Sequence, residues 1–516
     1  MSTTADNQIN AHLEAGLRQR WDHVWKQQWW SDPRTELLAG LLVAFALIPE
    51  AISFSIIAGV DPKVGLYASF VIAIYIAFAG GRRGMISAAT GAMALVVVPL
   101  VDEHGVEYLF AATILAGIVQ FGLGAFGVGS LMRFIPRTVM TGFVNALAIL
   151  IFLAQVPHIL LTNADADRPQ LGLNLAVIAL GLAVIYGLPL LTKAVPSPLI
   201  AIVTVAGLAA INGWSLPAVG DMGELPSALP GFGIPDVPLS FETLRIVLPY
   251  SITLALVGLL ESLLTAQLLD DLTDTDSDKN REATGQGGAN VVTGFLGGMA
   301  GCAMIGQSMI NHRSGARTRL STLSAGVFLL LLVLVAGDLV AQIPMGALVA
   351  VMIMVSISTF DWRSVSPSHL KVMPRSEIAV MLTTVGIVVF THNLAYGVIA
   401  GVMLSAVFFV RHVAHVVEVT SVVDPDNTER LYAVRGELFF ASTNDLVHSF
   451  DYDAVKVSWV EIDLGGARIW DTSAVAALDA VVEKFADRGI SAELVGLNRH
   501  AERLHRSTTG KVSAGH

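Results

Sequence analysis

The sequence predicts an all-α polytopic membrane domain of about 14 spans, followed by a small α/β domain. Of its 516 residues, 54% are hydrophobic and only 14% are charged, and the mean hydropathy is +0.65. Soluble domains carry about 25% charged residues. The 47 glycines suit membrane helices, which use glycine for close packing and for breaks. Near residue 415 the composition turns polar, which places the second domain at the C-terminal end.

Charge and cysteine content exclude several classes of protein. The 42 acidic and 31 basic residues give a formal net charge of −11, whereas a nucleic-acid-binding protein needs a basic face. The single cysteine, Cys302, excludes an intramolecular disulfide framework and a cysteine-built metal site. We find no metal-ligand cluster and no nucleophile–base constellation, so we predict neither an enzyme nor a resident cofactor.

The apolar segments define the predicted topology. Several are too short or too glycine-rich to cross a bilayer as one plain helix of about 20 residues. An even number of spans places both termini on the same side of the membrane. The predicted segments are 37–58, 64–80, 85–101, 108–129, 138–157, 171–191, 197–212, 245–269, 284–298, 302–312, 320–337, 342–359, 377–393 and 394–410.

The loops between these segments separate by charge. Fourteen Lys and Arg residues fall in the loops on the N-terminal side, and only Lys63, Arg168 and Arg245 fall in the opposite loops. The positive-inside rule therefore predicts a multi-pass protein of the inner (plasma) membrane with both termini in the cytoplasm. Residues 1–36 form a predicted amphipathic segment at the membrane surface, in which tryptophans four residues apart share one helix face.

The C-terminal region has strand and helix patterns in alternation. Strand-like stretches occupy Leu431–Ser442, Trp459–Gly465 and Ser491–Leu497, and a helical pattern covers Thr472–Gly489. We therefore assign 37–412 to the transmembrane domain. We assign 413–516 to a small cytoplasmic α/β domain with a disordered tail.

Two acidic residues lie deep in apolar segments. Glu50 lies in LIPEAISFSIIAG and Glu261 in LVGLLESLLTAQLL. A charge at such depth costs about 2.5–3.5 kcal/mol on insertion scales, so each is a functional candidate. The alternative is a protonated, hydrogen-bonded glutamate that holds helices together.

The surroundings of these acids repeat. Small-residue stretches follow each acid after about 40 residues, SAATGAMALVVV (Ser87–Val98) and GMAGCAMIGQ (Gly298–Gln307). TGAMAL at Thr90–Leu95 aligns with AGCAMI at Ala300–Ile305. Because the two copies enter the membrane from opposite sides, the pattern indicates a seven-plus-seven inverted repeat with two broken helices. The alternative is that the small residues serve helix packing only.

A helix that starts within the membrane presents unpaired backbone N–H groups and a positive dipole end. Two such ends facing each other predict an anion site that needs no Lys or Arg. Thr90 adds a hydroxyl donor, and Cys302 is placed at the start of the second half-helix. The small residues that admit an anion to the backbone are Gly91, Ala92, Gly301 and Ala303.

Glu261 and Thr265 lie four residues apart on one helix face beside this site. A carboxylate, a hydroxyl and nearby carbonyls form a hard oxygen set. This set suits Na⁺, or the carboxylate carries a proton instead.

Three stretches resemble one known family. IPEAISFSIIAGVDPKVGLYASF (Ile48–Phe70) and the segment from Glu261 to Gly301, with its acidic loop and its GQG and GG elements, resemble the sulfate permease (SulP) family of anion transporters. IDLGGARIWDTSAVAALD (Ile462–Asp479) resembles the STAS domain that this family carries at its C-terminus. The resemblance covers nearly the whole chain.

The resemblance implies a core and a gate subdomain, elevator-type alternating access, a cytoplasmic STAS domain and a homodimer. It places the cation site of sodium-coupled bicarbonate members on Glu261 and Thr265. The substrate contacts it implies are Glu50, Phe54, Thr90, Gly91, Ala92, Gly301, Cys302 and Ala303.

Two residues depart from the family pattern. Many members have glutamine at Glu50, and the extra acid here is a candidate for proton coupling. Many have arginine at Gln307, and its loss favours a monovalent anion. The resulting hypothesis is a sodium- or proton-coupled transporter, with bicarbonate ranked before dicarboxylate or sulfate. The alternatives are an uncoupled anion channel or exchanger, and a membrane-anchored scaffold whose STAS domain binds a partner.

Overall fold

The structure, a computed structural model, divides into two compact units, Met1–Gly401 and Val402–His516. The predicted domain limits at 36/37 and 412/413 stay predictions, and Trp21 and Trp25 of the N-terminal segment lie outside the described residues. The structure describes residues 28–129, 136–160, 168–192, 196–214, 216–414, 417–424, 429–453 and 457–508.

Two successions of elements build the first unit, and each contains one short strand directly before a helix. The first comprises α1 (Pro33–Ile57), α2 (Pro62–Ala79), β1 (Ser87–Ala89), α3 (Gly91–His104), α4 (Val106–Ala125), α5 (Arg137–Leu160), α6 (Arg168–Leu191) and α7 (Ser197–Asn212). A 3₁₀ turn at Val219–Met222 lies in the connection. The second comprises α8 (Phe241–Thr273), α9 (Lys279–Phe295), β2 (Gly301–Ala303), α10 (Ile305–Arg313), α11 (Arg319–Ala341), α12 (Met345–Thr359), α13 (Pro367–Val372), α14 (Arg375–Thr391) and α15 (Leu394–Ala414).

Each of the fourteen predicted apolar segments overlaps a helix of this unit. Among the described residues, eight helices are long and apolar enough to cross a membrane, and α7 and α12 are shorter apolar helices. The helices α3 and α10 are short because a strand replaces their first turns. The prediction of an all-α membrane domain with two broken segments is therefore confirmed.

Glycines allow α4 and α9 to approach backbone to backbone. A Cβ atom on Gly117 would lie 2.6 Å from the carbonyl oxygen of Gly287, and one on Gly124 would lie 2.6 Å from the amide nitrogen of Thr284. Small residues at these positions permit the close packing that holds membrane helices together. This contact fixes α9, which in turn supports β2.

Two prolines lie in the helices that carry the membrane acids. Pro49 directly precedes Glu50 in α1, and Pro249 lies in α8 before Glu261. Because proline has no N–H, the helix loses one backbone hydrogen bond there. Separately from that loss, the hydroxyl of Ser53 donates to the carbonyl oxygen of Pro49 four residues earlier, at 2.7 Å.

The second unit contains the elements β3 (Glu418–Val423), β4 (Glu429–Leu438), α16 (Thr443–His448), β5 (Trp459–Ile469), α17 (Thr472–Ala486), β6 (Ser491–Val495) and α18 (Arg499–Thr508). Its four strands form a sheet in the order β3-β4-β5-β6, in which β3 is antiparallel to β4 and the other neighbours are parallel. The core lies between the sheet and α17, where Val434, Ile462 and Phe485 are fully buried. This architecture confirms the predicted small α/β domain.

Tyr452 is packed into this core by its ring and held there by its hydroxyl group. Tyr452 packs on Phe485 with ring centroids 4.9 Å apart, and its hydroxyl donates to the carbonyl oxygen of Val447 at 2.7 Å. Burial raises the pKa of Tyr452 to about 12. The phenol therefore stays neutral throughout the physiological pH range.

Candidate functional site

The two broken segments meet in a small antiparallel sheet. Ala89 of β1 pairs with Gly301 of β2, and Ala88 pairs with Cys302. All residues of both strands are buried. Strands from the two halves of the membrane domain thus lie side by side, as the inverted-repeat prediction requires.

Each strand leads directly into a helix N-terminus. Thr90 is the N-cap of α3 and Met304 is the N-cap of α10, and both have extended backbone angles. Neither cap closes with a side-chain hydrogen bond. Because the first amides of a helix have no partner within it, both ends offer N–H donors and positive partial charge to a ligand.

A cavity of about 160 Å³ lies at these two helix starts. No Lys or Arg is among the described residues that line it. One wall carries polar groups from α1, α3, α8 and α10, and the other is formed largely by apolar side chains of α5 and α12. Its lining residues are Glu50, Phe54, Thr90, Gly91, Phe143, Val144, Leu147, Ile151, Glu261, Leu264, Met304, Ile305, Gly306, Gln307, Ile310, Met354, Val355, Ser358 and Thr359.

Five of the predicted site residues line this cavity, and five do not. Glu50, Phe54, Thr90, Gly91 and Glu261 face it directly. The two acids, predicted from separate segments, therefore share one cavity, and each is 8% exposed. The residues outside the lining are Ala92, Thr265, Gly301, Cys302 and Ala303.

The predicted start of the second half-helix is wrong. Gly301, Cys302 and Ala303 form β2, and the helix begins at Ile305. Strand pairing explains their small size, because a Cβ on Gly301 would lie 2.2 Å from the carbonyl oxygen of Ala88. The amide of Gly301 is also held, donating to Asn290 Oδ1 at 2.9 Å.

The helix start that offers backbone N–H donors lies at residues 304–307. The alignment of the two small-residue stretches places it four residues earlier, at 300–303. Gly306 lies in the first turn of α10 as Gly91 does in α3, so aligning these two glycines gives the helix start to within one residue. Gln307 lines the cavity beside Glu50, and the two side chains interact by a hydrogen bond. The residue noted as a departure from the family pattern therefore faces the extra acid.

Glu261 is connected to both strands through a thiol. Cys302 Sγ donates to Glu261 Oε2 at 2.8 Å and lies 3.1 Å from the hydroxyl oxygen of Thr90. Next along α8, the Ser262 hydroxyl accepts from the amide of Ala303 at 3.0 Å. The broken segments and the carboxylate thus form one hydrogen-bonded assembly.

Thr265 is fully buried, and its hydroxyl donates to the carbonyl oxygen of Glu261 at 2.8 Å. It lies one turn behind the cavity, on the helix face that also carries Glu261. The Glu261–Thr265 cation site stays a prediction.

Gly91→Val is expected to reduce anion uptake by about 10-fold or more while the protein still folds. A Cβ at Gly91 would lie 2.9 Å from Phe54 Cε1 and 3.2 Å from Ile151 Cδ1, so valine pushes both side chains into the cavity. The measurement is initial uptake into proteoliposomes at equal protein density. Gly122→Val is the control, since a Cβ there meets nothing within 4 Å. Equal uptake by Gly91→Val and wild type would mean that the anion does not use this cavity.

Comparison with known proteins gives one family match in the membrane part of the chain and another in its C-terminal part. The sequence matches the Sulfate permease family over residues 34–384 and the STAS domain over residues 419–510. It is 56% identical over 479 residues to the putative sulfate transporter YbaR of Bacillus subtilis (strain 168), covering 93% of this chain and 98% of YbaR. It is 28% identical over 432 residues to the bicarbonate transporter BicA of Picosynechococcus sp., covering 77% of this chain and 74% of BicA.

Two solved structures share the fold. The transmembrane domain of a cyanobacterium bicarbonate transporter BicA superposes with a TM-score of 0.62 at 25% identity, covering 72% of this chain and 98% of that one. Murine Solute Carrier 26 family member A9, an anion transporter in the inward-facing state, superposes with a TM-score of 0.78 at 16% identity, covering 92% and 87%. The latter likeness concerns the fold alone.

Proposed function

The chain belongs to the sulfate permease family of anion transporters and carries a STAS domain, and from this premise we propose that it is a secondary active transporter of a small oxyanion. One observation carries the proposal. Two helix starts without side-chain caps, one from each half of the membrane domain, face a cavity that no Lys or Arg lines within the described residues. Amide donors alone bind an anion weakly enough for release.

We rank bicarbonate first among the substrates. The cavity offers Gln307 but no guanidinium, which favours one negative charge over two. The relative BicA is named a bicarbonate transporter. Sulfate is the second candidate because YbaR, a relative of higher identity, is named a putative sulfate transporter. Dicarboxylate ranks beside sulfate.

The two acids supply a physical reason for coupling. An ionised carboxylate and an anion in one small cavity repel each other strongly. A proton or Na⁺ bound at Glu50 or Glu261 removes that repulsion, so cation and anion each increase the other's affinity. We propose that Glu261 with Thr265 takes Na⁺ and that Glu50 takes a proton, with elevator-type movement of the site.

The test is uptake of labelled bicarbonate and labelled sulfate into proteoliposomes, with either a Na⁺ gradient at equal pH or a pH gradient without Na⁺. Uptake that depends on neither gradient would contradict coupling and favour an exchanger or channel. Absence of uptake for every anion tried would contradict the transport proposal.

Glu50→Gln separates the two coupling ions. We expect this variant to keep Na⁺-driven uptake within about 3-fold of wild type and to lose pH-driven uptake, because glutamine keeps the polar contact to Gln307 but carries no exchangeable charge. Loss of both modes would assign Glu50 to anion binding itself. Unchanged pH-driven uptake would contradict its role as proton carrier.

Two further features follow from topology and resemblance. The positive-inside bias supports cytoplasmic termini and a cytoplasmic STAS domain, tested by membrane-impermeant labelling of introduced terminal cysteines. The family resemblance supports a homodimer, tested by mass measurement in lipid nanodiscs.

A further inference from the structure

A second cavity, of about 410 Å³, lies in the membrane unit away from the anion site. On α8 the anion cavity is lined by Glu261, whereas this one is lined by Thr273 near the C-terminal end. At 1.5 Å per residue Glu261 and Thr273 lie about 18 Å apart along the helix, and the nearest lining residues of the two cavities on α8, Leu264 and Leu269, lie about 7.5 Å apart. The lining residues are Ser31, Arg82, Arg83, Gly84, Leu269, Leu272, Thr273, Thr275, His312, Ala316, Arg317 and Thr318.

The charged side chains that line this cavity are all basic. Arg82, Arg83 and Arg317 line the cavity together with His312, and no carboxylate is among its described lining residues. The side chains of Arg83 and Arg317 are exposed to solvent. Arg317 Nη1 donates to the carbonyl oxygens of His312 and Ala316 at 2.8 and 2.6 Å, which orients its guanidinium. The hydroxyl groups of Thr273 and Thr275 accept hydrogen bonds from Arg82 at 2.6 and 2.7 Å and so hold its guanidinium in the lining.

Two buried carboxylates near the cavity, Asp270 and Glu36, are occupied by protein groups. Asp270 Oδ1 lies 3.0 Å from Arg82 Nη1, and its Oδ2 lies 2.5 Å from Lys279 Nζ, so two cations share one anion. Glu36 Oε1 accepts from the backbone amides of Arg317 and Thr318 at 2.7 and 3.0 Å. Neither acid lines the cavity, and Asp274 and Asp276 lie at exposed positions beside the lining residues Thr273 and Thr275, so the positive charge of the lining itself comes from its arginines.

Arg82 is fixed by the fold. Its Nη2 donates to the carbonyl oxygen of Leu269 at 3.1 Å and to the Thr273 hydroxyl at 2.6 Å, which closes the C-terminal end of α8. The side chain is 8% exposed, and its Nε has no hydrogen-bond partner among the described residues. A fixed guanidinium thus forms one wall, and the exposed side chains of Arg83 and Arg317 also line the cavity.

The position relative to the bilayer is marked by aromatic side chains. Ser31 follows Trp29 and Trp30, and Trp29 packs on Phe78 with ring centroids 5.0 Å apart. Tryptophans concentrate at the depth of the lipid headgroups. The cavity mouth therefore lies where phosphate groups of lipids and of soluble compounds both reach it.

We propose that this cavity is a binding site for a phosphate group, separate from the transport site. Guanidinium groups match phosphate oxygens in a bidentate geometry, and those of Arg83 and Arg317 line the cavity from exposed positions. The cavity is more than twice the volume of the anion cavity, which suits a phosphate ester or diphosphate better than the transported anion. The phosphate belongs either to an anionic lipid headgroup or to a soluble compound.

The test measures binding of labelled inorganic pyrophosphate to the purified full-length chain in neutral detergent. We expect the double variant Arg83→Gln/Arg317→Gln to bind at least about 10-fold more weakly than wild type. Arg313→Gln is the matched control, because Arg313 is an exposed neighbour that does not line the cavity, and it should bind within about 2-fold of wild type. Arg82 is not substituted because its hydrogen bonds hold the C-terminal end of α8.

Two further arms identify the source of the phosphate and exclude the transport site. In nanodiscs, displacement of pyrophosphate by phosphatidylglycerol but not by phosphatidylcholine would assign the site to a lipid headgroup. Pyrophosphate binding that is equal in both lipids would assign it to a soluble compound. Glu261→Gln should bind pyrophosphate like wild type. The proposal is overturned if Glu261→Gln abolishes binding, if the double variant binds like wild type, or if wild type does not bind.

Discussion

Glu261→Gln is expected to lower Na⁺-gradient-driven uptake by about 100-fold or more while the protein folds normally. Glutamine still presents an oxygen to the Cys302 thiol, which donates to Glu261 Oε2 at 2.8 Å, so the assembly around β2 is kept. It cannot carry a charge, however, and a lost charge-assisted interaction of about 3 kcal/mol corresponds to about 100-fold. The measurement is initial uptake under a Na⁺ gradient and under a pH gradient.

The matched control is Glu242→Gln, at an exposed position in the first turn of the same helix. It should transport like wild type. Size-exclusion profiles and apparent melting temperatures of the two variants establish that folding is unchanged. Coupled uptake at the wild-type rate by Glu261→Gln would contradict a coupling role for this carboxylate.

Gly301→Ala is expected to destabilise the membrane domain by more than about 3 kcal/mol, at the upper end of overpacking effects. The added Cβ would lie 2.2 Å from the carbonyl oxygen of Ala88 and 2.5 Å from Ile72 Cδ1. A backbone oxygen cannot move away without breaking the pairing of β1 with β2. The expected result is a low yield of monodisperse protein and an apparent melting temperature lower by more than about 5 °C.

Gly306→Ala tests whether any added methyl group near the site has this effect. A Cβ on Gly306 would meet no atom within 4 Å, so this variant should fold with wild-type stability. If Gly301→Ala proves equally stable, the close approach of the two strands is not a requirement of the fold.

The membrane fold was predictable because its determinants are local. Segments such as 197–212 coincide with a helix, Ser197–Asn212, since apolar length and loop charge define a span without knowledge of its neighbours. In the C-terminal domain, the predicted helix at Thr472–Gly489 corresponds to Thr472–Ala486. The strand Glu418–Val423 was missed because its side chains are mostly exposed and lack an alternating pattern.

The site was predictable only where a polar residue stands out against apolar surroundings. Glu50, Glu261 and Thr90 met that condition, and all three line the cavity. Phe143 and Leu147 line it too, but an apolar side chain beside a cavity has the same sequence signal as one in the core. The four-residue error in the second half-helix arose because small residues mark strand pairing as readily as a helix start.

The pairing of β1 with β2 has a mechanical consequence. The strand pairing joins the two helix N-termini into one rigid body, so neither N-terminus can move separately to release the anion. We expect the two ends to move together instead, sliding as one body along the opposite wall of the cavity, which α5 and α12 form. Because that surface is apolar apart from residues such as Ser358 and Thr359, few hydrogen bonds have to break in each transport cycle.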